Sequence, residues 1–406
     1  MDDWGTADGL FRDERWVRQH LTNLLSFYHP TCIDTTHGGY VAQLGDRDGT
    51  IYDGRTKHLV ATCRFVFNYS VGHLLDGPTW CAASAEHGLR YLLSAHRRDD
   101  GGYAWVMDGR RVADGTRSTY GHAFVLLALA TAAKAGVPPA RDHLDETYAL
   151  IDERFWEPDP GLCLSDLDSR WRPVSTYRGQ NANMHMCEAH LAAYEATGDE
   201  RYLERASRIA ENIARTLADE GDGLVWEHYT EDWEIDPAYN RDRPDHLFRP
   251  WGYQPGHLLE WSKLLLSLAR HRSEAWLLAR AVRFFDAAVE HGWDDGRGGF
   301  VYNFDRDGAP IVADRYYWPL AEGIGAATLL AEATGDARYR EWYDRIWTYA
   351  WDHVVNRRHG NWYFKLTPEN EVHEGIDATP EVKVGYHQIN ACYEVLRTTG
   401  GARAPR

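Results

Sequence analysis

The sequence predicts an all-α protein, a closed (α/α)6 barrel of six helical hairpins with short β-hairpins in the loops. Three features carry that expectation. A polar residue opens an apolar, helix-like segment six times, at steps of 63–72 residues: His58, His122, His185, His257, Glu322 and His387. Self-similarity at a fixed period marks one supersecondary unit copied through an architecture, and this period exceeds the roughly 20–50 residues usual for solenoids. Each such segment is also preceded by a helix of different character, amphipathic rather than apolar. Finally, nothing has the polar end caps that an open stack of hairpins needs, so a closed ring is favoured over a solenoid.

Each unit reads in the same order. The first helix has apolar residues recurring at three and four with Arg and Glu between them, as in RYLERASRIAENIARTLA at 201–218, the pattern of a helix with one wet face. Its counterparts begin at Trp16, Ala83, Leu144, Ser273 and Ala337. A glycine turn with an apolar residue follows: HGGY, DGGYAW, PGLCLS, DGLVWE, RGGFVY and HGNWYF. The short alternating runs after these turns predict small hairpins. The second helix is nearly apolar all round, as in GIGAATLLAEAT, and such a helix is buried. Two of these end in matching TGD sequences, at Gly198 and Gly335. The glycine predicts a left-handed C-terminal cap and the Asp an N-cap for the next helix, so consecutive helices run antiparallel. The fourth unit is longer, and its excess falls in the aromatic, charged stretch 226–255, which is expected to lie over the mouth as a lid.

No linker or low-complexity run divides the chain, so residues 1–406 are expected to form one catalytic domain, with a frayed tail at about 400–406. The net charge of −17 argues against nucleic acid or an anionic membrane as partner, because phosphate binding needs clustered cations. The six cysteines form no CxxC pair, so neither a zinc knuckle nor a dithiol redox site is suggested. No basic, apolar leader opens the chain and no apolar run is long enough to span a bilayer, so cytoplasm is the expected location. Oligomeric state is not legible. The 17 Trp and 23 Tyr suit sugar faces as well as cores.

Polar groups at one end of six helices converge on one place, the expected active site. Histidine is a poor N-cap, so capping is a weak account of the series. Unperturbed imidazole titrates near ~6.5, which suits proton abstraction at neutral pH. His58 is the weakest member, because Arg55 and Lys57 beside it compete for the inward position. Four residue pairs share helix faces: His257 with Glu260, Asn181 with His185, Trp318 with Glu322, and Lys383 with His387. Together they describe a polyol pocket, with Glu260 expected to orient His257. A metal bound by the histidines with Glu260 and Glu322 is disfavoured, since no compact HxxxH or HExxH spacing occurs; no metal or other cofactor is expected. A glycosidase would need a carboxylate pair, for which Glu260, Glu322, Glu188, Asp166 and Glu227 are candidates.

The stretches RGQNANMHMCEAHLAAYEATGD and PGHLLEWSKLLL resemble the N-acylglucosamine 2-epimerase superfamily, the second being most similar to its mannose and sulfoquinovose isomerase branch. The resemblance runs from about Trp16 to Thr399. It implies the same barrel, no cofactor, and catalysis by two histidines, His257 and His387, with His185 aiding ring opening or holding the enediolate. It also implies sugar binding by Arg55, Tyr120, Asn181, Glu260, Trp318 and Glu322. Lys383 departs from the pattern, and with Arg249 it leaves anionic sugars open. The expected reaction interconverts D-mannose and D-fructose, and by extension D-lyxose and D-xylulose. In it His387 takes the C2 proton, His257 serves the oxygens, and His185, Arg55 and Asn181 stabilise the oxyanion. The rivals are a sugar 2-epimerase, a sulfoquinovose isomerase, a glycoside hydrolase on the same barrel, and a non-catalytic sugar binder.

Overall fold

The computed structural model describes residues 9–373 and 380–399; the expected frayed tail lies outside them. Twelve long helices alternate between two rings. The inner ring is Leu59–Leu74, Thr119–Lys134, Gln180–Thr197, Pro255–Ala269, Tyr317–Thr334 and Tyr386–Thr399. Each inner helix packs on the next, and the sixth packs back on the first, which closes the barrel. The outer ring is Glu14–Tyr28, Trp80–Tyr91, Ala140–Arg154, Glu200–Ala210, Ala275–Gly292 and Ala337–Tyr349. Every outer helix after the first packs on the inner helix before it, and the first packs on the sixth inner helix.

The two sequence types sort as expected. Thr119–Lys134 is buried continuously from Gly121 to Ala132, because it faces the axis, two neighbours and an outer helix. Glu200–Ala210 buries only Tyr202, Leu203, Ala206, Ile209 and Ala210, a stripe at helical spacing. Three outer helices widen into a π turn, at Leu92–His96, Glu211–Leu217 and Ala350–Val354. The widened turn keeps Ile213, Ala214 and Leu217 inward as the chain leaves the jacket. Gly198 and Gly335 take φ of 72° and 71°, and Asp199 and Asp336 accept from the backbone two residues on, so both TGD sequences are the predicted antiparallel corners.

Short strands stitch the units together at one end of the barrel. The residues leading into an inner helix pair antiparallel with the loop of the following unit. Thr56–His58 pairs with Val106–Asp108, Arg117–Ser118 with Asp166–Leu167, Arg178–Gly179 with His228–Tyr229, and Arg315–Tyr316 with Lys365–Leu366. A single bridge from Tyr253 to Phe304 does the same for the fourth and fifth units. Among the described residues, the seam between sixth and first units is closed by Asp46 instead. Its carboxylate accepts from the Phe364 backbone N–H at 2.8 Å and from Lys383 Nζ, and its carbonyl accepts from Asn356. None of the described helices is long and apolar enough to cross a membrane.

Candidate active site

The stitched end of the barrel holds a pocket lined by Arg64, Tyr120, Asn181, His185, His257 and Glu260, and also by Trp318, Lys383 and His387. The six periodic positions do not reach it equally, because they sit at different depths. His58 precedes its helix, His257 and His387 lie in the first turn, and His185 and Glu322 lie one turn deeper. His58 is a cap after all: its Nδ1 accepts from the Val60 backbone N–H at 3.2 Å. His122 is bonded at both nitrogens, to the Ser118 carbonyl at 2.7 Å and the Tyr103 backbone N–H at 3.2 Å. Burial pushes His58 down to about 3 and His122 to about 4. Neither faces the pocket, so two of the six are structural.

The remaining histidines share one design. His257 Nδ1 lies 2.8 Å from Glu227 Oε1, and His387 Nδ1 lies 2.7 Å from Glu322 Oε1. His185 Nδ1 lies 3.0 Å from Glu188 Oε2. A carboxylate on Nδ1 fixes that nitrogen as the N–H and leaves Nε2 with its lone pair. Burial, reinforced by the Arg64 charge, pushes His387 well below 6.5; burial also lowers His185, against the pull of Glu188. Both are therefore neutral bases at pH 7.

Trp318 lies beside both first-turn histidines, its ring centroid 5.1 Å from His257 and 5.7 Å from His387. Gly256 makes that placement possible: a Cβ there would lie 2.1 Å from the Trp318 ring.

The carboxylates are themselves held. Glu227 accepts from Gln180 Nε2, and Gln180 accepts from Trp261 Nε1 at 2.8 Å. Glu322 pairs with Lys263 at 2.5 Å. Glu188 accepts from Tyr386 at 2.5 Å and Asn390 at 3.0 Å. Burial works against the Lys263 charge, but Glu322, Glu188 and Glu260 outweigh it and hold the lysine above its usual value. Glu260 is different. It is 1% exposed, and neither carboxyl oxygen has a hydrogen-bond partner. Burial, with Glu322 nearby, pushes it well above the usual carboxylate range.

Several expectations need correction. Arg55 does not enter the pocket: its side chain is 62% exposed and bonded to Asp108 at 2.7 Å. The pocket arginine is Arg64, which donates to Tyr120 OH and the Val382 carbonyl and lies over the Phe124 and Tyr386 rings. Glu260 does not orient His257; Glu227 does. Lys383 lies before the last helix, which starts at Tyr386, and its charge is met by Asp46. Arg249 is likewise paired with Asp166. Neither cation is available to an anionic substituent.

Tyr120, Asn181, His185, Glu260 and Trp318 do line the pocket, and Glu322 sits behind His387. Loop 226–255 covers the mouth: Leu247 and Phe248 line the pocket, and the Phe248 carbonyl accepts from Asn181 Nδ2 at 3.2 Å.

Among the described residues, two clusters have the spacing to gather a metal, His185–Glu188–Glu260 and Glu260–Glu322–His387. In each, one carboxylate is already engaged, Glu322 by Lys263 and Glu188 by Tyr386 and Asn390, while Glu260 is common to both and unpartnered. A hydrolytic pair fits no better. Glu260 and Glu322 bring oxygens within 4.8 Å of one another, on the same wall, rather than flanking a bond from roughly 5–9.5 Å apart.

Arg64 and Lys263 carried readable signals that the periodicity overshadowed. Arg64 is a lone charge in the apolar run LVATCRFVF. Lys263 continues the His257–Glu260 face by three residues. In the sequence Glu227 stands out only as a candidate hydrolase carboxylate; its place after a glycine turn does not tie it to His257.

The fold and the site define an (α/α)6-barrel protein whose pocket is built for histidine acid/base chemistry on a polyhydroxylated ligand. The chain belongs to the N-acylglucosamine 2-epimerase family, whose profile matches residues 38–391. It is 42% identical over 389 residues to a D-mannose isomerase of Marinomonas mediterranea, covering 96% of this chain and 98% of that one. A D-mannose isomerase of Thermobifida fusca is 43% identical over 328 residues, 80% of each chain. A crystal structure of D-mannose isomerase superposes with a TM-score of 0.92 at 42% identity, over 96% of this chain and 99% of that one.

Proposed function

We propose that the protein interconverts D-mannose and D-fructose, and by the same stereochemistry at C1 and C2 D-lyxose and D-xylulose, without a metal. The observation that carries this reading is the pair of Nδ1-anchored histidines, His257–Glu227 and His387–Glu322, both beside Trp318 in one pocket. On the open-chain aldose, His387 Nε2 takes the C2 proton, and the C–H electron pair becomes the C1–C2 double bond of a cis-enediol(ate). The proton returns to C1 while His257 moves protons between the oxygens. Arg64 and Asn181 hold the developing oxyanion, a role worth several kcal/mol in a buried site. Lys383 and Arg249 are each matched by a carboxylate, and Glu188, Glu260 and Glu322 surround Lys263. That charge balance favours a neutral sugar over a phosphorylated or sulfonated one.

A 2-epimerase is the second reading, because two histidines line one pocket and epimerisation needs proton transfer at both faces of C2. Incubation with mannose in D2O plus a chelator, followed by NMR, separates the two. Fructose carrying deuterium at C1 supports the isomerase, and glucose deuterated at C2 supports the epimerase. No conversion overturns both, and loss of activity on chelation overturns the metal-free mechanism.

A further inference from the structure

The barrel holds a second axial cavity at the end opposite the sugar pocket. Lys134, Glu195, Ser267 and Arg397, all near the C-termini of inner helices, form its partly exposed rim, and the buried Glu188 and Lys263 lie deeper. Neither of these two lines the sugar pocket, but their partners reach it. Glu188 holds His185, and Lys263 pairs at 2.5 Å with Glu322, which holds His387. One layer of side chains therefore separates the two cavities, with Lys263 on its lower side. Three buried carboxyls, Glu188, Glu260 and Glu322, surround this lysine. Among the described residues it is the only lysine or arginine in ion-pair contact with any of them. Neighbouring carboxyls in a buried site do not all stay ionised without a countercharge. The fifth inner helix is shaped for the lysine: Gly325, three residues on from Glu322, leaves room for its stem, and a Cβ there would lie 3.2 Å from Lys263 Cδ.

We propose that Lys263 is a positioning residue for His387, acting through the charge of Glu322, and that its place is reached from the lower cavity, so that a small ammonium ion from solvent can substitute for it. The first part rests on the reading of His387 as the C2 base. An ionised Glu322 accepts from His387 Nδ1–H and leaves the lone pair on Nε2. With Lys263 gone, Glu322 stands buried beside Glu188 and Glu260 and takes up a proton from solvent. The neutral carboxyl no longer holds Nδ1–H by charge, and where it donates to Nδ1 the tautomer reverses and the base is lost. A primary ammonium ion entering past Ser267 restores the countercharge without passing through the sugar pocket.

Lys263→Ala tests both parts. In mannose-to-fructose turnover its kcat should fall about 10- to 150-fold, the worth of a charge-assisted hydrogen bond. KM should stay within about twofold, because Lys263 lies outside the sugar pocket. Ethylammonium chloride should restore kcat severalfold, whereas ethanol, its uncharged counterpart, and potassium chloride should not. The half-saturating ethylammonium concentration should be the same at low and high mannose. Lys263→Met fills the space, so it should lose the same kcat and show no rescue; it also serves if the alanine variant fails to fold. 15N-histidine NMR reads the His387 tautomer without turnover: Nδ1–H in the wild type, lost in both variants, regained in Lys263→Ala with ethylammonium. A folded variant with wild-type kcat, or with an unchanged His387 tautomer, overturns the positioning role. Absence of rescue in a folded Lys263→Ala, or rescue that mannose competes away, overturns the lower-cavity route. A wild type that makes no fructose overturns the isomerase reading instead, and the tautomer measurement still decides this one.

Discussion

Glu227→Gln tests the His257 dyad at one atom. Glu227 is 1% exposed and lies outside the pocket lining, so the substitution leaves the sugar's contacts in place. Its carboxylate accepts from His257 Nδ1 at 2.8 Å and from Gln180 Nε2 at 3.0 and 3.1 Å. A glutamine offers one oxygen and one NH2 where two acceptors are needed. Gln180 cannot turn to compensate, because Trp261 Nε1 holds its oxygen at 2.8 Å. The amide therefore either keeps its oxygen on His257 Nδ1, replacing a charge-assisted bond by a neutral one and setting its NH2 against Gln180 Nε2, or donates to Nδ1 and reverses the tautomer, so that Nε2 carries the proton. A charge-assisted hydrogen bond is worth about 1.5–3 kcal/mol, and ~1.4 kcal/mol is tenfold in rate, so kcat should fall about 10- to 150-fold. Complete tautomer reversal would push the loss toward ~10⁴-fold, the size seen for the equivalent change in a Ser-His-Asp triad. KM should stay within about twofold. The assay is mannose-to-fructose turnover with thermal unfolding as a fold control. A folded variant with more than half the wild-type kcat, or one whose loss lies entirely in KM, refutes the assignment of Glu227.

Arg64→Met should raise KM at least tenfold, whereas Arg55→Ala should stay within about twofold in every kinetic constant; the same turnover assay checks both. Gly256→Ala puts a methyl within 2.1 Å of the Trp318 ring; overpacking of this kind costs about 1–3 kcal/mol, so both Tm and kcat/KM should drop. Stability should fall with acid. Burial holds His20, His58 and His190 at about 3 and His96, His122 and His228 at about 4. Below pH 6.5 the unfolded chain binds protons that these buried rings do not. The contribution is present in full above about 6.5 and is lost as pH falls toward 3–4. Tm measured from pH 7 to 4 should decline steadily, and a flat profile would contradict the neutral, buried state of these rings.

The barrel was legible because its cause is periodic. Alternating wet and dry helices, repeated glycine turns and paired TGD corners all state one local rule six times, and closure follows once no end is capped. The working residues were legible only where that rule places them. Asn181, His185, His257, Trp318, Glu322 and His387 are inner-helix residues near the stitched end, and their spacing gave their faces. Depth along the helix was not readable from the period. Glu322 sits a turn below His387 and so anchors it, while His58 sits above its helix and caps it. Arg55 was misplaced for the same reason: two residues after Asp53 it is still on the rim, and the chain enters the core only by Arg64. Lys383 failed differently. Its partner, Asp46, lies 337 residues away across the barrel seam, a contact that no local pattern encodes.

The broken symmetry has a mechanistic reason. Two histidines doing different jobs on one small substrate need different electrostatic settings, and six equivalent units would supply identical ones. His387 is anchored by a glutamate that is itself held by Lys263, whereas the glutamate behind His257 is held by the neutral Gln180. The first carboxylate is partly neutralised by that lysine; the second meets an uncharged amide. Burial and the Arg64 charge then push His387 well below 6.5, which suits a group that must be unprotonated when the aldose arrives. Glu227 is met instead by the neutral Gln180 amide at 3.0 and 3.1 Å, a different setting for the histidine that moves protons between the oxygens. Exchanging the two settings, with Gln180→Lys beside Glu227 and Lys263→Gln beside Glu322, should therefore cost far more in kcat than either change in KM, and a double variant with near-wild-type turnover would show that the two histidines are interchangeable.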